Sequence, residues 1–283
     1  MNINVVFIGG DMRMIYAAKA LSVRSDCRIY GFGEEHTELP QHRKGSKYDV
    51  AVLPIITDSS GLKLMNGEAS DGYGIVAELL NKGGTVFVGR APDALKSLCA
   101  ANRFALYDYL EREELAVLNA QATAEGAVGI AVTRLPRTIH GSCALVLGFG
   151  RIGKLTARYF SALGARVIVA ARKKADLAWA EACGYTAVGF GDENALSGAL
   201  GKADIILNTV PAPILTGARA AVVREDAVLI ELASSPCTEG ETQFRVIPAG
   251  GLPGKTAPKT AGHIIAGTIE NILTERSMEN GGA

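Results

Sequence analysis

A glycine-rich turn in the middle of the chain has the residue types and the spacing of a phosphate-binding element. The turn follows the pattern G-x-G-x-x-G and consists of Gly148, Phe149, Gly150, Arg151, Ile152 and Gly153. In this pattern the first glycine permits a tight turn, the second lets the backbone approach a pyrophosphate, and the third lets a helix pack closely on a strand. N–H groups that lack partners at the start of the following helix would then face the phosphates. The turn therefore predicts a dinucleotide-binding site.

The segments on either side of the turn have the character that this pattern requires. The apolar run 143–147 predicts a buried parallel strand, and apolar residues recur at helical spacing over 152–163. A glycine-rich turn that binds nothing is the alternative interpretation. The strand, the helix and the further strand–helix units downstream favour the dinucleotide.

The identity of the nucleotide depends on the end of the second strand of this unit, about twenty residues after the first glycine. An acid there would bind the ribose 2′-hydroxyl of NAD, but residues 169–174 contain no Asp or Glu. Arg172 and Lys173 stand there instead, and both can pair with the 2′-phosphate of NADP. We therefore predict NADP(H), with NAD(H) as the alternative. The competing interpretation is that Arg172 stacks on the adenine or caps the turn.

Two further loops are expected to flank the nicotinamide end of the cofactor. Each follows a predicted strand, the strands being 204–208 and 227–231, and their small or hydroxylic residues would suit a flat ring and a ribose. The predicted contacts are Thr209, Val210, Pro211, Ala233 and Ser234. Ordinary turn formation is the alternative, because Pro and Ser favour turns in any case.

Charged residues in two other segments are candidates for binding an anionic substrate. Asp11 and Arg13 follow the first predicted strand, 4–8, where a guanidinium could pair with a carboxylate. Helix capping by Asp11 and solvation of Arg13 are the alternatives. Residues 250–260 predict a flexible loop that presents Lys255, Thr256 and Lys259 to substrate carboxylates, with ordinary surface lysines as the alternative. This loop lacks the G-x-x-x-x-G-K spacing of an ATP-binding loop.

No pronounced catalytic constellation is visible in the sequence. His140 and His263 have the residue type for proton transfer, and hydride transfer needs little more than a positioned cofactor and an acid or base. A histidine that only donates or accepts a hydrogen bond is the alternative at each position. No Ser/His/Asp set and no metal-ligand cluster is predicted.

Composition limits the class of protein. A chain of 283 residues with 48% hydrophobic and 20% charged residues indicates a folded protein of two domains. Lys plus Arg and Asp plus Glu are both 29, so no net charge favours nucleic acid. The 5 cysteines form no C-x-x-C pair and indicate reduced thiols in a cytoplasm. We predict neither a signal peptide nor a run that is apolar and long enough to span a membrane.

Alternating strand and helix signals predict an α/β protein of two doubly wound parallel-sheet domains with an interdomain cleft. We expect residues 1–120 to form a flavodoxin-like substrate domain and residues 121–258 a Rossmann dinucleotide-binding domain. A helix over 259–275 is expected to pack back on the first domain. Residues 33–48 and 57–72 predict loops, and 275–283 a frayed tail.

Several of these motifs together resemble the family of dipicolinate synthase A subunits of spore-forming bacteria. The segments that carry the resemblance are 119–126 (NAQATAEG), 138–142 (TIHGS), 148–153 (GFGRIG), 208–213 (NTVPAP) and 251–262 (GLPGKTAPKTAG). The resemblance implies oxidation of a dihydrodipicolinate-type intermediate of the lysine branch to dipicolinate during sporulation, in the cytoplasm of the mother cell. It also implies that the partner is the flavoprotein-like B subunit of the same synthase and that the substrate is a dicarboxylate, and it adds Glu125 to the substrate residues. A homo-oligomer is expected.

Two other functions remain open from the sequence. One is an oxidoreductase similar to 2-hydroxyacid or alanine dehydrogenases, which share a two-domain organisation. The other is a protein that senses NADP without turnover. An assay with substrate, nucleotide and partner would separate these three hypotheses.

Overall fold

The computed structural model of the chain describes residues 3–33, 38–56, 61–64 and 69–281. A turn of 3-10 helix, Tyr109–Glu111, precedes α4. The strands and helices of these residues are, in chain order, β1 (Asn4–Ile8), α1 (Met12–Leu21), β2 (Asp26–Tyr30), β3 (Tyr48–Ile55), β4 (Gly61–Lys63), β5 (Ala69–Asp71), α2 (Gly74–Leu79), β6 (Leu80–Gly89), α3 (Asp93–Asn102), β7 (Ala105–Asp108), α4 (Glu113–Arg134), β8 (Cys143–Leu147), α5 (Arg151–Ala162), β9 (Arg166–Ala171), α6 (Lys174–Ala182), β10 (Thr186–Gly189), α7 (Glu193–Lys202), β11 (Ile205–Asn208), α8 (Ala218–Ala221), β12 (Val228–Glu231), β13 (Arg245–Pro248), α9 (Leu252–Thr256) and α10 (Pro258–Gly281).

The chain divides into two compact units. Unit 1 consists of Met1–Leu118 together with Ala257–Ala283, and unit 2 is Asn119–Thr256. The first division falls within α4, and the second falls between α9 and α10.

Unit 1 contains a parallel sheet of strand order β2-β1-β3-β6-β7. Counted among themselves, these strands have the 2-1-3-4-5 order of flavodoxin-type sheets. Successive residues of β1 point to opposite faces, so Val5 and Phe7 join one core cluster while Val6 and Ile8 join another. Both faces of this strand are therefore buried, which explains its uninterrupted apolar sequence.

Helix α10 packs against α1 within unit 1. Ile265 and Ile269 are buried in the same core cluster as Ala17 and Ala18 of α1. The two helices approach each other closely at Gly262, where a Cβ atom would lie 2.5 Å from the carbonyl oxygen of Arg13. Only glycine lets the two helix backbones come this close.

Unit 2 contains a six-stranded parallel sheet of order β10-β9-β8-β11-β12-β13. Counted among themselves, these strands have the 3-2-1-4-5-6 order of the Rossmann fold, and the order reverses between β8 and β11. The prediction of two parallel α/β sheets, the second a Rossmann sheet, is confirmed. The carboxyl ends of β8 and β11 are where this fold binds dinucleotides.

Three predicted irregular segments contain regular structure. Strands β4 and β5 form an antiparallel hairpin inside the predicted loop 57–72, of which 57–60 and 65–68 lie outside the described residues. Of the predicted loop 33–48, residues 34–37 also lie outside the described residues. The predicted tail 275–283 is helical as far as Gly281. The predicted loop 250–260 is mostly helical, because Leu252 is buried and draws its segment into α9.

Helix α4 corrects the expectation that no segment could span a membrane. Among the described residues it is the helix that meets this criterion by length, 22 residues, and by composition. However, one face of the helix, formed by Ala120, Ala124, Ala127 and Ala131, is buried. A core helix of a soluble protein meets the same criterion, so length and composition alone do not assign α4 to a membrane.

Candidate dinucleotide-binding and substrate sites

The glycine-rich turn at the end of β8 can be built only from glycine at two of its positions. Gly148 has φ +91°, and a Cβ atom there would lie 2.5 Å from the hydroxyl oxygen of Thr209. At Gly153 a Cβ atom would lie 2.2 Å from the carbonyl oxygen of Gly148. These contacts let α5 begin directly against the end of β8, as a dinucleotide turn requires.

The second glycine of the turn leaves open space instead. Gly150 is the N-cap of α5 and makes no side-chain cap hydrogen bond. A Cβ atom at this position would meet nothing within 4 Å in the described part of the chain. The first turn of α5 also contains no acidic residue that would repel an anion. The residues present therefore fit the pyrophosphate of a dinucleotide.

The other residues of the turn differ in their surroundings. Phe149 is buried, and its ring meets that of Tyr185 edge-on at 6.3 Å between centroids. Ile152 packs against the core cluster of the same sheet, whereas Arg151 is exposed. Phe149 and Ile152 thus anchor the turn through their side chains and leave the backbone to face a ligand.

The cationic residues at the end of β9 are available for a ligand. Arg172 and Lys173 are both exposed. Neither forms a hydrogen bond through its side chain or an ion pair with another residue in the described ranges. They follow Ala171, the last residue of β9, at the same edge of the sheet as the glycine-rich turn. A phosphate bound there would meet a guanidinium and an ammonium group that form no ion pair with a described carboxylate of the protein.

The loop after β11 is hydrogen-bonded to the last residue of β8. The backbone N–H and the hydroxyl of Thr209 both donate to the carbonyl oxygen of Leu147, at 2.9 and 2.8 Å. The hydroxyl proton of Thr209 is therefore already used, and its oxygen faces the position that a Gly148 side chain would occupy. Val210 and Pro211 continue this loop, and Ala233 and Ser234 lie in the loop after β12.

A buried pair of polar side chains links these two loops. Asn208 ends β11 and is fully buried, and Glu231 ends β12 with 7% of its surface exposed. The Asn208 amide nitrogen donates to Glu231 Oε1 at 2.5 Å and to the carbonyl oxygen of Val210 at 2.9 Å. Glu231 was not among the site residues predicted from the sequence. The sequence feature that could have indicated it is an acidic residue at the last position of an otherwise apolar strand.

Two protein-family models match the chain, one in each half. Residues 4–110 match the model described as the N-terminal domain of the dipicolinate synthase A subunit. Residues 114–238 match the NAD-binding domain of D-isomer-specific 2-hydroxyacid dehydrogenases. The second match supports a nicotinamide cofactor and does not separate NAD from NADP.

Similar proteins of known identity match nearly the whole chain. The A subunit of dipicolinate synthase from Bacillus subtilis (strain 168) is 30% identical, over 99% of this chain and 98% of that protein. The chain belongs to the family of dipicolinate synthase A subunits. The crystal structure of the B. subtilis protein gives a TM-score of 0.85 at 28% identity, covering 99% of this chain and 98% of that one. The structure of the A subunit from Bacillus halodurans gives 0.83 at 29% identity, covering 96% and 97%.

Unit 1 of this family member holds Asp11 and Arg13 as an ion pair. Arg13 donates from Nε to Asp11 Oδ1 at 2.9 Å and from Nη2 to Oδ2 at 2.6 Å. The N–H of Arg13 also donates to Asp11 Oδ1, so Asp11 caps α1. Burial acts to raise the pKa of Asp11, but the hydrogen bonds and the charge of Arg13 outweigh it and lower that pKa. Arg13 is therefore a guanidinium already engaged by its own chain.

Lys259 and His263 lie on the first two turns of α10, also in unit 1. Both are exposed, and they flank Gly262, which packs against the first turns of α1 near Arg13. The structure thus brings these two residues to the end of α1 that carries the Asp11–Arg13 pair.

Glu125, Lys255 and Thr256 belong to unit 2. Helix α9 packs on α4 where a Cβ atom at Gly126 would meet Leu252 at 3.0 Å. Lys255 Nζ donates to the carbonyl oxygen of Gly250 at 2.8 Å, and the Thr256 hydroxyl donates to that of Leu252 at 2.9 Å. All three residues are exposed on this helix pair.

His140, predicted as a proton-transfer residue, lies away from the glycine-rich turn of this sheet. His140 lies before β8, and a Cβ atom at Gly164, which precedes β9, would lie 2.4 Å from its ring. It is therefore at the amino edge of the sheet, whereas the glycine-rich turn is at the carboxyl edge. The five residues of β8 separate the two edges by about 17 Å.

Proposed function

We propose that this protein is the A subunit of a dipicolinate synthase and oxidises a dihydrodipicolinate-type intermediate of the lysine branch to dipicolinate. The observation that carries the proposal is the similarity to a dipicolinate synthase A subunit over 99% of the chain. The open space in front of Gly150 supports the use of a dinucleotide. We place the reaction in the cytoplasm of the mother cell of a sporulating bacterium, where the partner is the flavoprotein-like B subunit.

Residues of this chain suit the binding and deprotonation of such a substrate. Oxidation to the aromatic ring removes one hydride and one proton, and the bound nicotinamide supplies the hydride acceptor. The ammonium group of Lys259 would pair with a carboxylate of the substrate. The imidazole of His263, one turn along α10, would take the proton. Because aromatisation is strongly favourable, a strong base is not needed.

The cofactor that we propose is NADP. The two cations after β9, Arg172 and Lys173, have no partner among the described side chains and would meet a 2′-phosphate. The residues expected to hold the pyrophosphate and the nicotinamide end are the glycine-rich turn and the loops at Thr209 and Ser234.

The direct test mixes the purified protein with dihydrodipicolinate and NADP⁺ or NAD⁺, with and without the B subunit, and follows absorbance of the reduced nicotinamide. Reduction of NADP⁺ that depends on dihydrodipicolinate supports the proposal. Nucleotide binding without reduction in any combination would favour the sensing function. Reduction with a 2-hydroxyacid or alanine, but not with dihydrodipicolinate, would favour the dehydrogenase-like alternative.

Reversing the charge of Arg172 tests the choice of nucleotide. We expect Arg172→Glu to weaken NADP⁺ binding by about 100-fold and NAD⁺ binding by less than about threefold, because an attractive contact becomes a repulsive one. The matched control is Arg166→Glu, an exposed arginine at the opposite end of the same strand. Affinities come from titration calorimetry. Equal affinity of the unaltered protein for both nucleotides would remove the basis of this choice.

A further inference from the structure

We propose that Glu231 is a positioning residue whose buried negative charge makes this Rossmann unit bind the oxidised nicotinamide nucleotide more tightly than the reduced one. The inference rests on the proposed function, since it assumes that unit 2 binds a nicotinamide dinucleotide. It concerns the preference between the oxidised and the reduced nucleotide, to which the sequence analysis assigned no residue.

The carboxylate of Glu231 organises both loops expected at the nicotinamide end. Its Oε1 accepts from the Asn208 amide and from the backbone N–H of Ala233, at 2.5 and 3.3 Å. Its Oε2 accepts from the backbone N–H of Cys237 at 2.8 Å. Asn208 in turn accepts from the N–H of Val210 at 3.0 Å, which fixes the orientation of its amide. One buried acid thereby sets the backbone of the loop after β11 and of the loop after β12.

The oxygens of Glu231 are the acceptors in each of these hydrogen bonds. The Asn208 amide and the backbone N–H groups of Ala233 and Cys237 donate to Glu231, so both loops direct N–H dipoles at this one side chain. Burial first, and then the charge of Glu231, raise the pKa of the Cys237 thiol, which keeps that neighbour neutral. The charge is therefore held in place and is not shared with a second anion.

The same sheet contains a second buried acid with the opposite arrangement. Asp204, at the amino edge, forms ion pairs with Arg137 and Arg224 and accepts from the backbone N–H of Cys143 at 2.8 Å. Glu231, at the carboxyl edge, forms no ion pair with any lysine, arginine or histidine in the described ranges. A buried charge without a counter-ion is costly, so a cation supplied by a ligand would be attracted there.

The oxidised nicotinamide ring is such a cation, whereas the reduced ring is neutral. Glu231 ends β12, which lies two strands from β8, so its carboxylate is about 10 Å across the sheet from the glycine-rich turn. That is the half of a Rossmann sheet opposite the adenosine-binding half. In this low-dielectric position the charge of Glu231 would stabilise the cationic ring and favour substrate oxidation over reduction.

The experiment compares dissociation constants for NADP⁺ and NADPH, and in parallel for NAD⁺ and NADH, in the full-length protein and in Glu231→Gln. We expect the variant to lose about tenfold more affinity for the oxidised than for the reduced nucleotide of each pair. A purely structural role of Glu231 would weaken both forms equally and would leave the ratio unchanged. The readout is the ratio of dissociation constants, which does not depend on turnover.

Asp204→Asn is the matched control, because it neutralises a buried acid of the same sheet at the other edge. We expect it to lower stability and to leave the ratio within about twofold of the unaltered protein. If Glu231→Gln does not fold, the unaltered protein decides: tighter binding of NADP⁺ than of NADPH supports the inference, and the reverse order overturns it. A ratio that Glu231→Gln leaves unchanged overturns this inference alone. Absence of binding by all four nucleotides overturns the proposed function as well.

Discussion

Each unit contains an apolar strand that is followed by a glycine turn and a helix, yet the two turns differ in what they offer a ligand. After β8, Gly150 caps α5 without a side chain and leaves open space before the helix. After β1, Asp11 caps α1 and is itself paired with Arg13. The turn after β8 presents its backbone to an anion, whereas the turn after β1 already contains the carboxylate of Asp11.

This difference separates two tasks within one chain. A helix start that lacks a side-chain cap suits phosphates of many nucleotides, because the backbone recognises charge and not identity. A helix start that carries paired side chains excludes phosphate and fixes a guanidinium in one orientation. We propose that the same local fold binds the phosphates of a nucleotide in unit 2 and forms part of a substrate site in unit 1.

The largest effect should come from filling the contact between helix and strand in unit 2. Gly153→Ala places a Cβ atom 2.2 Å from the carbonyl oxygen of Gly148, and backbone must move to relieve it. We expect a loss of about 1–3 kcal/mol in the free energy of unfolding and at least about 100-fold weaker nucleotide binding. Circular dichroism during chemical denaturation measures the first quantity, and calorimetric titration with NADP⁺ measures the second.

The matched control for that substitution is Gly129→Ala in α4, where a Cβ atom would meet nothing within 4 Å in the described structure. Alanine is the better helix former, so this variant should be as stable as the unaltered protein or more stable. If Gly153→Ala bound nucleotide normally, the packing account of the turn would be wrong.

A smaller effect is expected at Gly150, and it should appear in binding alone. Gly150→Ala adds a methyl group that meets no described atom of the protein, and its extended backbone is open to alanine. We expect unchanged stability and about tenfold weaker nucleotide binding, because the methyl group would stand between the backbone and the pyrophosphate. Calorimetric titration with NADP⁺ measures the change. Unchanged affinity would show that the open space is not the phosphate site.

The sequence predicted the Rossmann unit well because its signal is local. The turn 148–153 is contiguous, and its pattern can be recognised without knowledge of distant contacts. The buried pair of Asn208 and Glu231 escaped prediction because the two residues stand 23 positions apart and meet only when β11 lies beside β12.

Two other predictions, for His140 and for the segment 250–260, depended on information that the sequence contains only in part. His140 was judged by residue type, although its place three residues before a strand already indicates the amino edge of a parallel sheet. The segment 250–260 was judged by its glycines and prolines, whereas burial of Leu252 against α4 outweighs their preference for a loop. A tertiary contact decided the conformation of this segment, whereas the sheet edge at which His140 lies follows from its place in the chain.

The smallest expected effect concerns the charge of the turn in unit 1. Asp11→Asn keeps a good capping side chain but removes the ion pair with Arg13. Because the pKa of Asp11 is lowered in the folded protein, its contribution is present above the unfolded pKa and is lost as pH falls through the folded pKa. About half of the Asp11 side chain is exposed, 51%, so we expect less than about 1 kcal/mol at pH 7 and no difference in strong acid. Hydrogen exchange of the α1 amides, compared with the unaltered protein at each pH, measures this difference in stability.

Asp192→Asn is the control, since Asp192 caps α7 and has no ion pair in the described part of the chain. A difference at Asp11 that stays constant from neutral to acidic pH would mean that its carboxylate acts only as a cap, and that the two turns do not differ in charge.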